Sequence, residues 1–507
     1  MPDHEHPMLA DPAPAGGGET HGVGQWFSRW LFERALALIY FTAFLVAVNQ
    51  FVPLLGEQGL LPVPEWVRQV PFRASPSLFY LFPTDAAFRT AGWLGLVLSV
   101  VALTGLTGRA GSAVTAAVWA LLWLLYLSFV NVGQTFYGFG WETLLLETGF
   151  LAIFLGGRTT EPSVVITWLL RWLLFRLMFG AGLIKWRGDP CWLDLTCLEY
   201  YFETQPMPNP LTWYFHWLPA AVHRGGVVLN HVVELGVPFL YFAPQPIPAV
   251  AGLVTIAFQF ILIVSGNLSW LNWLTIVLAI ATIHDPWLAW IPVRRPRLRA
   301  PTAARRTALY AVALVLGFLS IAPTLNMLSP AQVMNTSFEP LHLVNTYGAF
   351  GSITRERLEI VIEGTDEREI TEATRWREYE FKGKPGDPRR MPPQFAPYHL
   401  RLDWLMWFAA MSQPSDYEWF VPLLVKLLHG DPGTLGLLRF NPFPDRPPRF
   451  IRAQHYRYRL TPPAERASTG RWWSRELIGP YYPAMSLRRD NAERHPDPPA
   501  GLGGERQ

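Results

Sequence analysis

The chemistry this sequence offers is concentrated in ionisable side chains set inside apolar stretches. Glu142 and Glu147 lie in the stretch 141–155, Arg171, Arg176 and Lys185 in 163–186, and His231 and Glu234 in 226–242. Each is costly in a bilayer, so such groups pair with one another or mark a functional path. At about 1.5 Å rise per residue, Glu142 and Lys185 sit near the outer ends of their helices. Glu147 and His231 lie roughly 8–9 Å further in, and Glu234 and Arg176 roughly 12–15 Å, so opposite charges share depths. His231 and Glu234, three residues apart, share a helix face. Arg171 sits too near the inner end to join them. One reading is structural, with ion pairs joining three helices and Lys185 reaching the interface. The other is catalytic. Lys185, desolvated beside Trp186, acts as general base in a membrane enzyme on a quinone-like or lipid substrate, and Glu142, His231 and Glu234 assist. A polar cavity open to the outer half serves either reading.

These residues need membrane helices to position them, and the composition provides for that. Of 507 residues, 50% are apolar and only 16% charged, against about 25% charged in ordinary globular chains. About nine spans are read, at 31–48, 91–106, 113–130, 141–155, 163–186, 226–242, 248–265, 268–291 and 307–322. The predicted class is therefore a multi-pass α-helical membrane protein with an extramembrane C-terminal domain. Its divisions are a disordered tail at 1–30, a membrane domain at 31–323, a C-terminal domain at 324–490 and a second tail at 491–507. The arginine-rich loop VRRPRLRAPTAARR and the short loops bearing Arg109 and Arg158 fall on one side if the N-terminus is cytoplasmic, as the positive-inside rule requires. The long loops at 49–90 and 187–225 and the whole C-terminal domain then lie outside. In the loop at 186–217 aromatic residues and prolines crowd together, as in interfacial or re-entrant helices. Cys191 and Cys197 share that loop on the oxidising side, where a disulfide can close a small ring; the spacing alone leaves the pairing open.

The C-terminal domain reads as mixed α/β and strand-rich. Short alternating runs at 358–362, 376–381 and 451–460 predict strands, with Tyr456, Tyr458 and Leu460 on one face and Arg457 and Arg459 on the other. A helix is read at 402–411, and a second opens at Ser415, boxed with Glu418, and closes at Gly430. Pro422 either kinks that helix or marks its true start. His455 and Arg452 add to a basic strand region that is either solvated or anion-binding. In GRWWSRELIGPYYP, Trp472, Trp473, Tyr481 and Tyr482 either present a surface to a partner, as aromatics do at hot spots, or pack the chain's end onto the domain. With Arg457 and Arg459 they are the candidate partner-binding residues. A P-loop, a nucleophile elbow, a dinucleotide fingerprint and a zincin motif are missing. Two cysteines and a net charge of +3 give no basis for a cysteine-rich metal site or a nucleic-acid surface. No metal or cofactor is expected.

Several long strings resemble the lipase maturation factor family. They include NVGQTFYGFGWETLLLETGF (131–150), RWLLFRLMFGAGLIKWRGDPCWLDLTCLEYYFETQPMPNP (171–210) and NTYGAFGSITRERLEIVIEG (345–364). The run 376–410, the run 437–461 and GRWWSRELIGPYYP add to these. The resemblance implies a multi-span protein that helps secreted lipases fold and assemble, with its C-terminal domain on the lumenal side handling the client. It implies an exported lipase or other secreted client as partner, beside the lipid bilayer. The location implied is the endoplasmic reticulum membrane in eukaryotic members, or the inner membrane of a bacterium. FGAGLIKW (179–186) is also similar to the segment around the active lysine of vitamin K-dependent gamma-carboxylases, and Lys185 is the one position that carries over.

Overall fold

The computed structural model describes residues 24–487. The tail read at 491–507 and residues 1–23 of the tail read at 1–30 lie outside the described residues. Helix α1 (Trp26–Leu55) begins inside the stretch read as tail. The Asp285 carboxylate accepts from the backbone N–H groups of Trp26 and Phe27 at 3.0 and 2.8 Å, filling donors that a helix start leaves open. That cap comes from a residue 259 positions away, so no local pattern announces it.

Helix α2 (Asp85–Thr104) starts on Thr84, whose hydroxyl accepts from the Ala87 N–H, and stops at Gly105 in the left-handed region (φ 71°), where a side chain is unfavourable. Helices α3 (Ser112–Val132) and α4 (Gly140–Ala152) follow. Helix α5 (Val164–Arg187) is capped by Ser163, and Lys185 and Arg187 stand in its last turn, a placement the helix dipole favours. A short helix α6 (Cys197–Thr204) lies in the loop. Helix α7 (Ala220–His231) continues as a π turn (Val232–Gly236) and a 3₁₀ segment (Val237–Phe242). Then come α8 (Ile247–Ser265), α9 (Leu271–Ile280), α10 (Ala303–Leu319) and α11 (Ile321–Leu328).

Among the described residues, seven helical stretches are long and apolar enough to cross a membrane: α1, α2, α3, α5, Ala220–Phe242, α8 and Ala303–Leu328. The spans read at 141–155 and 268–291 are shorter in the structure, with α4 at 13 residues and α9 at 10, where spanning needs about 20. Both begin against the C-terminal domain instead of in lipid. Trp141 packs on Trp404 with ring centroids 4.9 Å apart. Just before α9, Asn267 accepts from the backbone N–H groups of Phe395 and Ala396, both at 3.0 Å. Apolar composition reports burial, and here protein does part of the burying. The arginine loops meet at one end of the helices, where Arg158 donates to the Arg294 carbonyl at 3.2 Å and Arg305 to that of Phe154 at 2.9 Å.

The C-terminal domain contains strands β1 (Arg357–Thr365) and β2 (Arg377–Glu378), helices α12 (Arg401–Ala409) and α13 (Phe420–His429), and strands β3 (Phe450–Leu460) and β4 (Trp473–Met485). They form one sheet in the order β2-β1-β3-β4, antiparallel throughout, with Arg357 opposite Tyr458 and Leu460 opposite Trp473. The run read at 376–381 keeps only two strand residues, and β4 was not foreseen. The box expected at Ser415 and Glu418 is displaced: Asp416 caps the Gln413 N–H at 3.1 Å over a single 3₁₀ turn. Helix α13 starts at Phe420, with Pro422 in its first turn, where its missing N–H is no loss, and it ends at Gly430 (φ 67°).

Candidate functional site

Lys185 ends buried, 5% exposed, near the C-terminus of α5. Its ammonium donates to both carboxylate oxygens of Glu234 at 2.6 and 2.7 Å and to Asn230 Oδ1 at 3.0 Å. Asn230 also donates to Glu234 at 3.0 Å, so the three side chains close on one another. Glu234 stands in the π turn, the kind of local widening that recurs at functional sites. The approach depends on Gly182. A Cβ there would meet Leu235 Cδ2 at 2.7 Å and the Glu234 Cβ at 3.0 Å. His231 does not join the cluster. Its Nε2 lies 3.0 Å from the Trp192 carbonyl oxygen, and its ring packs against Trp186 and Trp192. Asn230, four residues before Glu234, takes the place assigned to His231. Both carboxylate oxygens of Glu234 contact the Lys185 nitrogen, so a general-base role would have to displace that contact to bring a substrate against it.

The two glutamates of α4 find different partners. Glu147 receives the Arg176 guanidinium. It also accepts from the Asn345 backbone N–H at 3.1 Å, the Asn345 amide at 3.2 Å and the Tyr347 hydroxyl at 2.8 Å. Glu142 pairs with Arg401 of α12 at 2.8 Å, both side chains fully buried. Arg401 also donates to the Phe136 carbonyl at 2.6 Å and stacks over Tyr137 at 3.4 Å, and the Tyr126 hydroxyl donates to Glu142. Depth along the helices suggested partners within the membrane half. Glu147 does find its cation there, in Arg176 of α5, and takes only neutral partners from the C-terminal segment. Glu142 instead takes its cation, Arg401, from that segment. Arg171 meets no carboxylate. It donates to the carbonyls of Ala281 at 3.3 Å and Tyr241 at 3.2 Å, both at helix ends where carbonyls lack partners.

A cavity of about 600 Å³ lies where the membrane helices meet the C-terminal domain. Lys185, Asn230 and Glu234 line it, with Gln259, Leu262 and Asn272 from α8 and α9 and Trp404 and Phe408 from α12. Glu142 and His231 are not among its lining residues. Of the four residues proposed to act together from the sequence, the structure brings Lys185 and Glu234 into contact and leaves the other two apart. Asn230, Tyr201, Tyr347 and Arg401 were missed. Arg401 alone left a signal, as the one arginine entering the apolar run LDWLMWFAAM.

The seam is extended by β1. Arg357, 1% exposed, donates to the carbonyls of Glu203 at 3.0 Å and Gln205 at 2.6 Å, fastening the sheet to the loop after α6. Glu359 sits between Arg357 at 2.7 Å and Lys384 at 2.8 Å. Burial pulls Lys384 down to about 8, against the pull of Glu359. Burial also pushes the Asp403 carboxyl up to about 6, against the Gly383 N–H and Lys384. Cys191 and Cys197 are disulfide-bonded, their Cα atoms 4.8 Å apart.

The client-binding candidates divide by exposure. Trp473 is fully buried beside Tyr458, its ring 5.2 Å from the Arg357 guanidinium. Trp472 is half-buried, stacked on Arg466 at 3.6 Å and edge-on to Trp213. Tyr481 donates to the Ala409 carbonyl at 2.8 Å, and it and Tyr482 pack on Phe420. Arg457 bridges Glu356 and Glu476, both at 3.0 Å, while Arg459 is exposed. His455 lies 2.9 Å from the Ala410 carbonyl oxygen, and Arg452 pairs with Glu363 at 2.8 Å.

Comparison with known proteins covers both halves. The lipase maturation factor transmembrane domain matches residues 27–290, and the lipase maturation factor C-terminal domain matches 343–483. Lipase maturation factor 1 of Bos taurus is 45% identical over 91% of this chain and 89% of its own length. The Homo sapiens protein of that name is 43% identical over 96% of this chain and 93% of its own. Lipase maturation factor 2 of Mus musculus is 29% identical over 90% of this chain and 83% of its own. No solved structure matches the chain.

Proposed function

The chain belongs to the lipase maturation factor family, and on that premise we propose that it assists the folding or assembly of an exported lipase or related hydrolase. The observation that carries this reading is the seam. A sheet domain is joined to the membrane helices by the buried pair Arg401–Glu142 and by Arg357 on the loop carbonyls. A maturation factor that works on exported chains needs such a fixed platform at the membrane. We place the C-terminal domain on the exported or lumenal side of the membrane, the inner membrane in a bacterium or the endoplasmic reticulum in a eukaryote, since the arginine loops gather at the end of the helices where Trp26 begins. The client surface is assigned to the outer part of β3 and β4. Arg457 and Arg459 lie at its centre, Trp472 and Tyr482 at its margins, and Trp473 and Tyr481 shape it from beneath.

Deleting the gene and measuring the amount and specific activity of each secreted hydrolase tests the reading. At least one lipase or related hydrolase is expected to lose activity per molecule and to regain it on complementation. Unchanged amounts and activities for every exported hydrolase would overturn it. Protease added to spheroplasts is expected to cut the C-terminal domain while a cytosolic N-terminal tag survives.

A further inference from the structure

We propose that the cavity at the seam binds one neutral lipid, an acyl chain with a hydroxyl- and ester-bearing head such as a monoacylglycerol. Its volume of about 600 Å³ falls within the ordinary range for small-molecule sites. Leu177, Met178, Leu262, Leu271, Leu405 and Phe408 give it an apolar wall suited to a hydrocarbon chain. Among the described residues, the only charged side chains lining it are Lys185 and Glu234, and these neutralise each other at 2.6 Å. An anionic or cationic head would therefore be buried with no free counter-charge, which is strongly unfavourable.

Uncommitted polar groups remain on this wall: the indole N–H groups of Trp141 and Trp404 are buried with no partner among the described residues, and Tyr201 and Asn272 add to them. Tyr201 is 7% exposed and lines the cavity, and its hydroxyl has no hydrogen-bond partner among the described residues. Burial keeps this phenol protonated by raising its pKa, so it is available as a donor. Asn272 spends its amide N–H on Gln259 at 2.7 Å, and its carbonyl oxygen is left free to accept. A buried donor and a buried acceptor call for a ligand that offers both functions in return. A glycerol ester has a carbonyl and hydroxyls on one uncharged head. The site adjoins the membrane-crossing helices α5 and α8 and the short apolar helix α9, which makes the bilayer the source.

The test uses the purified full-length chain in detergent and a diazirine-bearing monoacylglycerol. Labelling is expected on peptides from α5, α8, α9 and α12, competed by unlabelled monooleoylglycerol but not by oleate or phosphatidylglycerol. Leu262→Trp, which fills the cavity, is expected to cut labelling at least tenfold with an unchanged unfolding temperature. Ala181→Phe, in the same wall, carries the test if that variant fails to fold. Tyr201→Phe should weaken binding about three- to tenfold, the loss of one hydrogen bond. Labels confined to lipid-facing surfaces, equal competition by oleate, or full labelling of both cavity-filling variants would overturn the proposal.

Discussion

Arg401 and Glu142 form a fully buried ion pair between α12 and α4, and removing either partner should loosen the C-terminal domain. Arg401→Met leaves Glu142 with the Tyr126 hydroxyl as its remaining close partner and no cation. Glu142→Gln leaves Arg401 held by the Phe136 carbonyl and the Tyr137 ring. Breaking a buried pair from one side costs about 3–5 kcal/mol, because the survivor is a desolvated, uncompensated charge. Removing both partners leaves no stranded charge, so the double variant should lose about 2–3 kcal/mol less than the sum of the singles. Unfolding of each protein in detergent, read by tryptophan fluorescence, measures the cycle. Limited proteolysis reports where the loss falls, and the singles should be cut in the C-terminal domain before the membrane half. Additive losses, or a single variant as stable as the parent, would refute the view that this pair carries the seam.

Three further outcomes follow from the geometry. Gly182→Leu forces Leu235 and Glu234 away from α5, so about 2–4 kcal/mol of stability should be lost through overpacking and a parted ion pair; parent-like melting would count against the close approach. Replacing Cys191 and Cys197 by Ser opens a ring with a sequence separation of 6, worth about 2 kcal/mol by loop-closure entropy. Reductant should reproduce that loss in the parent and do nothing to the double variant. Asp403, pushed up to about 6 from an ordinary 3.8, holds its proton in the folded protein where the unfolded chain has released it. This contribution is full below pH about 4 and lost as pH rises through about 6, an effect of about 3 kcal/mol. Asp403→Asn should flatten the stability profile in that window, and an unchanged profile would show that another group is responsible.

How much of this was legible beforehand differed by residue type. The long spans were, because an apolar run of spanning length has few other uses. Strands β1 and β3 were, because short runs rich in strand-forming residues mark them. Alternation survives only at the end of β3, where Tyr458 and Leu460 are buried and Arg459 is exposed, and β1 is buried almost throughout. The short helices α4 and α9 were not, since composition records burial and does not say whether lipid or protein does the covering. Lys185 and Glu234 stood out as charges in apolar surroundings, and they do pair. Their third partner, Asn230, bears no charge and so left no mark. His231 looked more eligible by spacing, yet edge-to-face contacts with Trp186 and Trp192 hold it elsewhere. Arg401 and Asp285 act across 259 residues, a distance that no periodicity in one chain can report. The aromatics around strand β4 were read as either displayed to a partner or packing the chain's end onto the domain; pairing with β3 buries Trp473 and leaves Trp472, Tyr481 and Tyr482 half-buried.

The pairing of Glu142 with Arg401 also sets an order of events during biosynthesis. At about 5–20 residues per second, the 259 residues between them take roughly 13–50 seconds to emerge from a ribosome. Throughout that interval the nascent membrane half holds an acidic group whose countercharge has not yet been made. Glu147 has its countercharge, Arg176, 29 residues on and waits only for the neutral donors Asn345 and Tyr347. The first two-thirds of the polypeptide must therefore be sheltered by the insertion machinery, or by a protonated carboxyl, until translation is nearly finished. In a chain of this design, a segment made much later locks what was inserted first.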